Sequence, residues 1–265
     1  MNFLVTGSSS GIGSSLMRRY EQFPEQFGGS LIFNLNDWRL GDEFNPIYSD
    51  FGLIHLAHSR EFSFEQNIAA AERLYKQIRP GSIFLSTVSA HTSSKSNYGK
   101  SKYFVEKIFL DRGAAVIKSG LICAPNPTAM FKTLHVVVDR LPIIPLPFRG
   151  ENLFYLTDQE HLVTLIAKLT HDPSNAIYRA FSTKGITFKV LLKELAANKG
   201  RSRMFIDLPS PLSSILIGFI SKFLGRFSFS DSLISLINEP DPRELIELAD
   251  CEVDFPPKPH MIKYN

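Results

Sequence analysis

The sequence predicts an α/β fold, a doubly wound parallel sheet with a small C-terminal lobe. Three observations carry that expectation. Short apolar runs alternate with amphipathic helical stretches as far as Phe181, a glycine-rich octet follows the first run, and a proline-rich segment interrupts the pattern after Pro125. Alternation of this kind places helices on both faces of a parallel sheet.

Taken in order, Phe3 to Thr6 is an apolar run ending at Gly7, which reads as a buried strand entering a turn. A helix follows Gly13, its apolar stripe formed by Leu16, Met17 and Tyr20 with Arg18, Arg19 and Glu21 facing out. Leu31 to Phe33 and Gly52 to Ala57 are the next strands. A helix from about Ser63 to Gln77 carries Ile68, Ala71, Leu74 and Tyr75 at helical spacing, and Pro80-Gly81 stops it. Ser82 to Ser86 is a strand, Tyr98 to Leu110 a helix, and Ala114 to Ile117 a strand. Leu141 to Pro147 is extended, because each proline pushes its predecessor out of helical space. A helix near Glu160 to Leu169 and a strand near Ala176 to Phe181 return to the sheet, and mixed helices and loops follow from Lys184. The division expected is a domain over 1–183, with 125–150 contributing to a cleft, and a lobe over 184–265.

The bulk properties exclude several classes. The 265 residues are 44% hydrophobic and 21% charged, with a net charge of +3 that is scattered rather than striped, so no nucleic-acid partner is expected. Two cysteines, Cys123 and Cys251, give neither a disulfide framework nor a zinc spacing, which suggests no metal and a reduced, cytoplasmic setting. Met1-Asn2 leads straight into the first apolar run without a basic leader region, so no secretory signal is expected. The later apolar stretch Leu212 to Leu224 is interrupted by serines and a lysine and falls short of the roughly 20 apolar residues of a bilayer span.

The octet Thr6 to Gly13 has a specific physical meaning. Glycines let the backbone turn sharply and approach a pyrophosphate, while free N–H groups at the start of the following helix face its negative charge. Between an apolar strand and an amphipathic helix, such a turn marks a dinucleotide site on a Rossmann-type sheet.

Further along, Tyr98 and Lys102 lie four apart and so share one face of a helix. A tyrosine that moves protons near neutrality needs its anion stabilised, and a neighbouring ammonium does this electrostatically. Ser86-Thr87 ends the preceding strand, and ligands in parallel sheets sit beyond the carboxyl ends of strands. Thr87 is the expected partner of a substrate oxygen, with Ser86 and Ser89 as alternatives.

Together these residues resemble the short-chain dehydrogenase/reductase superfamily, and within it the extended, NAD-dependent epimerase/dehydratase branch that modifies nucleotide sugars. The motifs are Thr6 to Gly13, Ile54 to Ala57, Asn67, Ser86-Thr87, Tyr98 to Lys102 and, more weakly, Ser119 to Pro125 and Pro142 to Gly150. The resemblance implies NAD or NADP as cofactor. It implies that Gly7, Ser9, Ser10, Gly11, Ile12 and Gly13 hold the pyrophosphate, that Leu56 and Ala57 line the cofactor, and that Gly120 and Leu121 border the nicotinamide. Thr87, Tyr98 and Lys102 become the catalytic set, with Lys102 also contacting the nicotinamide ribose. His55 stands where the family uses a histidine structurally. A homodimer through the helices around Asn67 and Tyr98 is a further implication.

Departures from the pattern accompany it. Ser10 stands where the extended branch has its middle glycine, with Gly11 supplying the spacing of the single-domain branch. The second strand ends near Asn34, Asn36 or Asp37, with no clear acidic residue for an adenosine ribose, so Asn34 is carried as the cofactor-side residue and NAD against NADP stays open. The stretch from Phe33 to Leu53 is short, so one strand-helix unit is expected to be trimmed. Asp158 is the candidate for the aspartate of a His-Val-x-Asp-like segment.

The resemblance makes the substrate a nucleotide-linked sugar, acted on by an epimerase or reductase. Dehydration ranks last, because Thr87-Val88-Ser89 lacks an acidic pair. Arg149, Arg201 and Arg203 are candidate diphosphate contacts, since guanidinium forks suit phosphate. Two other classes stand beside this one. One is a non-catalytic NAD(P)-binding regulator or scaffold, against which the joint presence of Thr87, Tyr98 and Lys102 speaks. The other is a membrane-associated enzyme on lipid-linked sugar, suggested by the apolar face Leu212, Ile215, Leu216, Phe219, Ile220 and Phe223, for which packing on the lobe is the simpler account.

Overall fold

The structure is a computed structural model describing residues 1–33, 38–43, 48–59, 62–126, 129–172, 174–209, 212–213, 248–249, 253–256 and 259. Its first half runs β1 (Phe3–Thr6), α1 (Gly11–Gln22), β2 (Leu31–Ile32), β3 (Gly52–His55), α2 (Phe64–Arg73), β4 (Ile83–Thr87), α3 (Asn97–Asp111) and β5 (Ala115–Ser119). Then come β6 (Leu121–Cys123), α4 (Ala129–Arg140), β7 (Ile143–Leu146), β8 (Leu153–Phe154), β9 (Leu156–Asp158), α5 (Gln159–Leu169), β10 (Ile177–Ala180), β11 (Ile186–Thr187), α6 (Phe188–Asn198) and β12 (Met204–Asp207).

Six strands form one parallel sheet in the order β10-β5-β4-β3-β1-β2. Side chains alternate along each strand, and the sequence fills both faces with apolar groups. Val5, Ile54, Ile83, Leu85 and Ile117 pack with Leu16 of α1 and Leu162, Val163 and Ile166 of α5. Leu4, Leu53, Phe84 and Val116 pack on the opposite face with Ala71 of α2 and Val105 and Phe109 of α3. That is the doubly wound arrangement, with its order reversing between β1 and β3. Among the described residues between β2 and β3 there is neither strand nor α-helix, and β2 ends the six-stranded order on that side.

Beyond β5 the chain leaves the large sheet. Gly120 turns it into β6, which pairs with β9, while β7 pairs with β12 and β8 with β11. Phe131, Leu134, Val138, Ile144, Leu146, Leu191, Leu192 and Leu195 close a further hydrophobic cluster of their own. The extended reading of Leu141 to Pro147 agrees with β7. Helix α4 was not anticipated, although Phe131, Leu134 and Val138 have helical spacing. After β7 the chain makes a left-handed turn in which Phe148 and Arg149 adopt φ of 51° and 59°. Phe148 N donates to Ser213 Oγ at 2.7 Å and Arg149 N to the Leu208 carbonyl at 3.0 Å, which fixes the turn from outside.

Helix boundaries shift slightly from expectation. α1 begins at Gly11, two residues before the anticipated point, because Ser10 caps it by accepting from Gly13 N at 3.0 Å. α2 starts after the Ser63 capping box but stops at Arg73, with turns continuing to Gln77. Asn34, Asn36, Asp37, Cys251 and all of the apolar stretch after Ser213 lie outside the described residues. No helix among the described residues is long and apolar enough to cross a membrane.

Phe109 is fully buried, and its ring stacks against both Phe84 and His55, with centroids 4.8 and 5.6 Å away. Phe109→Ala is expected to cost about 3–5 kcal/mol in equilibrium denaturant unfolding.

Candidate active site

The reversal of strand order between β1 and β3 opens a crevice beyond their carboxyl ends, where doubly wound sheets take ligands. The glycine octet starts there. Gly7, at φ 76°, sits so tightly that a Cβ on it would lie 2.8 Å from Ala57 N and 2.9 Å from Leu56 C. A Cβ on Gly13 would lie 2.6 Å from Ser8 Cα and would also strike the Gly7 carbonyl. The turn is thus folded onto Leu56 and Ala57, with Leu56 N donating to the Thr6 carbonyl at 3.1 Å. Ile12 and Gly13 are buried in the helix packing, whereas Ser9 and Ser10 are exposed and Gly11 half-buried at the start of α1. The turn before that helix end is packed so closely on its own backbone that Gly7 and Gly13 leave no room for side chains. Such an arrangement suits an anion.

The second group of residues lies at the same sheet edge. Thr87 is buried as the last residue of β4, and its Oγ1 accepts from Ser89 N at 3.3 Å. Ser86 has the opposite parity and points at α3, where its Oγ donates to Glu106. Ser96 caps α3 by accepting from Gly99 N at 3.0 Å, so the helix starts at Asn97 and Tyr98 lies in its first turn. A Cβ on Gly99 would collide with the Ser89 carbonyl and Ser94 Oγ, which means the loop after Thr87 is packed directly on the helix that carries Tyr98. The half-buried Tyr98 ring meets the His58 ring edge to face, centroids 4.9 Å apart.

Lys102 follows one turn later and is 5% exposed. Its Nζ donates to the Leu85 carbonyl at 2.8 Å and lies 4.7 Å from the centre of the Phe84 ring. Burial pushes the ammonium down to about 7, against the pull of Glu106. Lys102, His55, Ala57, His58 and Asn67 line one small cleft. Asn67 is held by its amide nitrogen, which donates to the carbonyls of Ser59, Phe62 and Ser63.

Sequence reasoning missed two charged groups. Glu106 and Lys118, 2% and 4% exposed, stand 3.4 Å apart beneath the strand ends. Lys118 also donates to the Ala90 carbonyl at 2.6 Å. A lysine directly after the apolar run Ala115 to Ile117, and a glutamate four residues after Lys102, were the available signals.

The remaining candidates are placed as follows. Gly120 N donates to Thr157 Oγ1 at 2.8 Å, and a Cβ on Gly120 would lie 2.7 Å from Tyr155 C, so it marks the tight exit from β5. Leu121 is half-buried against the second hydrophobic cluster. Asp158 is the N-cap of α5, its Oδ1 accepting from Glu160 N at 2.9 Å and His161 N at 3.3 Å. Arg203 donates to the carbonyls of Val138 and Asp139 at the end of α4. Arg149 and Arg201 are exposed. Burial holds the Cys123 thiol protonated, and no group of three or more potential metal ligands clusters among the described residues.

His55 occupies the position expected of a structural histidine. Its Nδ1 shares a 2.7 Å hydrogen bond with Thr6 Oγ1, and burial, helped by Lys102, lowers its pKa from 6.5 to about 3. Between those values the unfolded chain binds more protons than the folded one. The stability from neutral His55 is therefore complete above about pH 6.5 and is lost as pH falls towards 3, at about 1.4 kcal/mol per pH unit. Denaturant unfolding at stepped pH should show this slope, and His55→Gln should flatten it. Gly7→Ala should destabilise by more than about 1 kcal/mol, since both its φ and its neighbours exclude a side chain.

No family model and no curated protein matches the sequence. Solved structures do match. RMD from Pseudomonas aeruginosa, complexed with NADPH, aligns over 79% of this chain and 87% of its own at a TM-score of 0.62 and 14% identity. DesIV, a dTDP-glucose 4,6-dehydratase from Streptomyces venezuelae with NAD and TYD bound, covers 89% and 96% at 0.62 and 14%. A UDP-glucose 4-epimerase from Thermotoga maritima with UDP-glucose covers 79% and 86% at 0.58 and 18%. At these identities the likeness is one of fold: the chain shares the Rossmann-type architecture of enzymes solved with nicotinamide cofactors and nucleotide sugars.

Proposed function

We propose that the chain is an NAD(P)-dependent epimerase or reductase of a nucleotide-linked sugar. The observation that carries this reading is the tight glycine turn, Gly7 packed on Leu56 and Ala57 and Gly13 on Ser8, at the same end of the sheet as Thr87 and the helix of Tyr98 and Lys102. The donor set fits a dinucleotide. Ser9 and Ser10 are exposed and Gly11 half-buried at the start of a 12-residue helix whose positive end favours a pyrophosphate. Gly7, Ser9, Ser10, Gly11, Ile12 and Gly13 would hold it, Leu56 and Ala57 would line the cofactor, and Gly120 and Leu121 would border the nicotinamide. When bound, the nicotinamide supplies hydride exchange with a carbinol carbon.

The chain's own residues do the rest. Thr87 and Tyr98 bind the substrate oxygen, and Tyr98 takes or returns its proton at the phenol oxygen. Lys102, as a cation beneath Tyr98, favours the phenolate and grips the ribose. Its present partner is a backbone carbonyl, which a flexible four-carbon stem can leave when a ribose hydroxyl arrives. The cluster built from α4, β7, β8, β11, α6 and β12 is assigned as the lobe that receives the sugar and its nucleotide.

Tyr98→Phe tests the reading. With a nucleotide sugar and NAD or NADP, it should lose about 100- to 10,000-fold in hydride transfer followed by nicotinamide absorbance, while cofactor affinity is kept. Turnover at the wild-type rate would sink the catalytic assignment. Tight cofactor binding by the wild type with no transfer to any nucleotide sugar would instead support a binding protein.

A further inference from the structure

Glu106 has almost no access to water and lies on the same face of α3 as Lys102, one turn further on. The proposed chemistry makes no use of it. A carboxylate in such a place is costly unless charges and hydrogen bonds offset the lost hydration. Two partners do so here, the donating Ser86 hydroxyl and the Lys118 ammonium at 3.4 Å. Both are tied to the Thr87 turn. Ser86 precedes Thr87 in β4, and Lys118 donates to the carbonyl of Ala90, whose own N donates to the Thr87 carbonyl at 3.0 Å. Glu106 is thus clamped from β4 and β5 while it sits one turn from Lys102.

We propose that Glu106 is the positioning residue of the site, a buried acid one helical turn from Lys102 that favours the charged form of Lys102 while Lys102 is shielded from water. The proposal deepens the reading above, since it matters to catalysis only if Lys102 serves Tyr98. The groups around Lys102 support it. β3 presents His55, which burial keeps neutral, and the following loop presents His58. α2 presents Asn67 and Ala71, β4 the Phe84 ring and the Leu85 carbonyl, α3 Val105, and β5 contributes Lys118 beyond Glu106. Of these only Glu106 can carry negative charge. Burial drives the ammonium down and the carboxylate up, and the attraction between the two opposes both shifts.

The test reads Lys102 directly. In the full-length chain with carbon-13-labelled lysine, the Lys102 resonance is assigned by its loss in Lys102→Met and titrated against pH. Glu106→Gln should lower the Lys102 midpoint by roughly one pH unit or more. The double variant Glu106→Gln/Lys118→Met leaves no uncompensated ammonium at position 118 and guards against loss of folding. Its Lys102 midpoint should also stay below that of the wild type. An unchanged midpoint in Glu106→Gln overturns the proposal. So does a return to the wild-type midpoint in the double variant, which would mean Glu106 merely neutralises Lys118. The lysine resonance reports whether or not the chain turns over a nucleotide sugar, so failure here and failure of the enzymatic reading are separate outcomes.

Discussion

Everything at the candidate site depends on how closely β1, the first turn of α1 and the end of β3 approach one another. At Gly7 and Gly13 the space that a methyl group would take is already filled by backbone of Ser8, Leu56 and Ala57. That closeness brings the start of α1 to the reversal point of the sheet. It also sets the position of His55, which pairs in register with Thr6 and shares a hydrogen bond with it. His55 in turn stacks on Phe84 and Phe109, and through them the packing reaches the helix of Tyr98 and Lys102. One run of contacts therefore joins the anion cradle to the proposed acid/base pair through apolar rings.

Much of this was legible in the sequence because local chemistry and global fold agree. The apolar runs Phe3 to Thr6 and Ile83 to Ser86, the helix starts near Ser63 and Tyr98 and the glycine octet each follow rules that act within a few residues. What escaped depends on long-range placement. Ser86, Glu106 and Lys118 are separated by 12 residues or more, and no local pattern reveals that they share one buried space. Helix α4 lies between proline-rich stretches whose local preference is extended, though its own apolar spacing is helical. Arg203 looked like an anion contact, yet it is engaged with carbonyls at the end of that same helix. Asp158 likewise proved to be a helix cap.

The buried charges beneath β4 and β5 run against the simplest design of a core. Replacing such pairs by apolar groups of similar size is often neutral or stabilising. Lys102, Glu106 and Lys118 lie where the strands meet the candidate cleft, not at the far edge of the sheet, and their hydrogen bonds end on Leu85, Ser86 and Ala90. A polar network fixes direction in a way that apolar packing does not. Thr87 and the start of α3 are the parts of the molecule that gain from it.

The left-handed turn at Phe148 and Arg149 has a consequence for how the two halves of the second cluster communicate. Bulky residues at positive φ are held at a cost of order 1–3 kcal/mol each, and they relax unless their surroundings prevent it. Here the restraint comes from Leu208 and Ser213, more than fifty residues downstream. The turn that presents Arg149 is therefore held in shape by a remote stretch of chain, so that a shift at Leu208 would be felt as a change in where that guanidinium is carried.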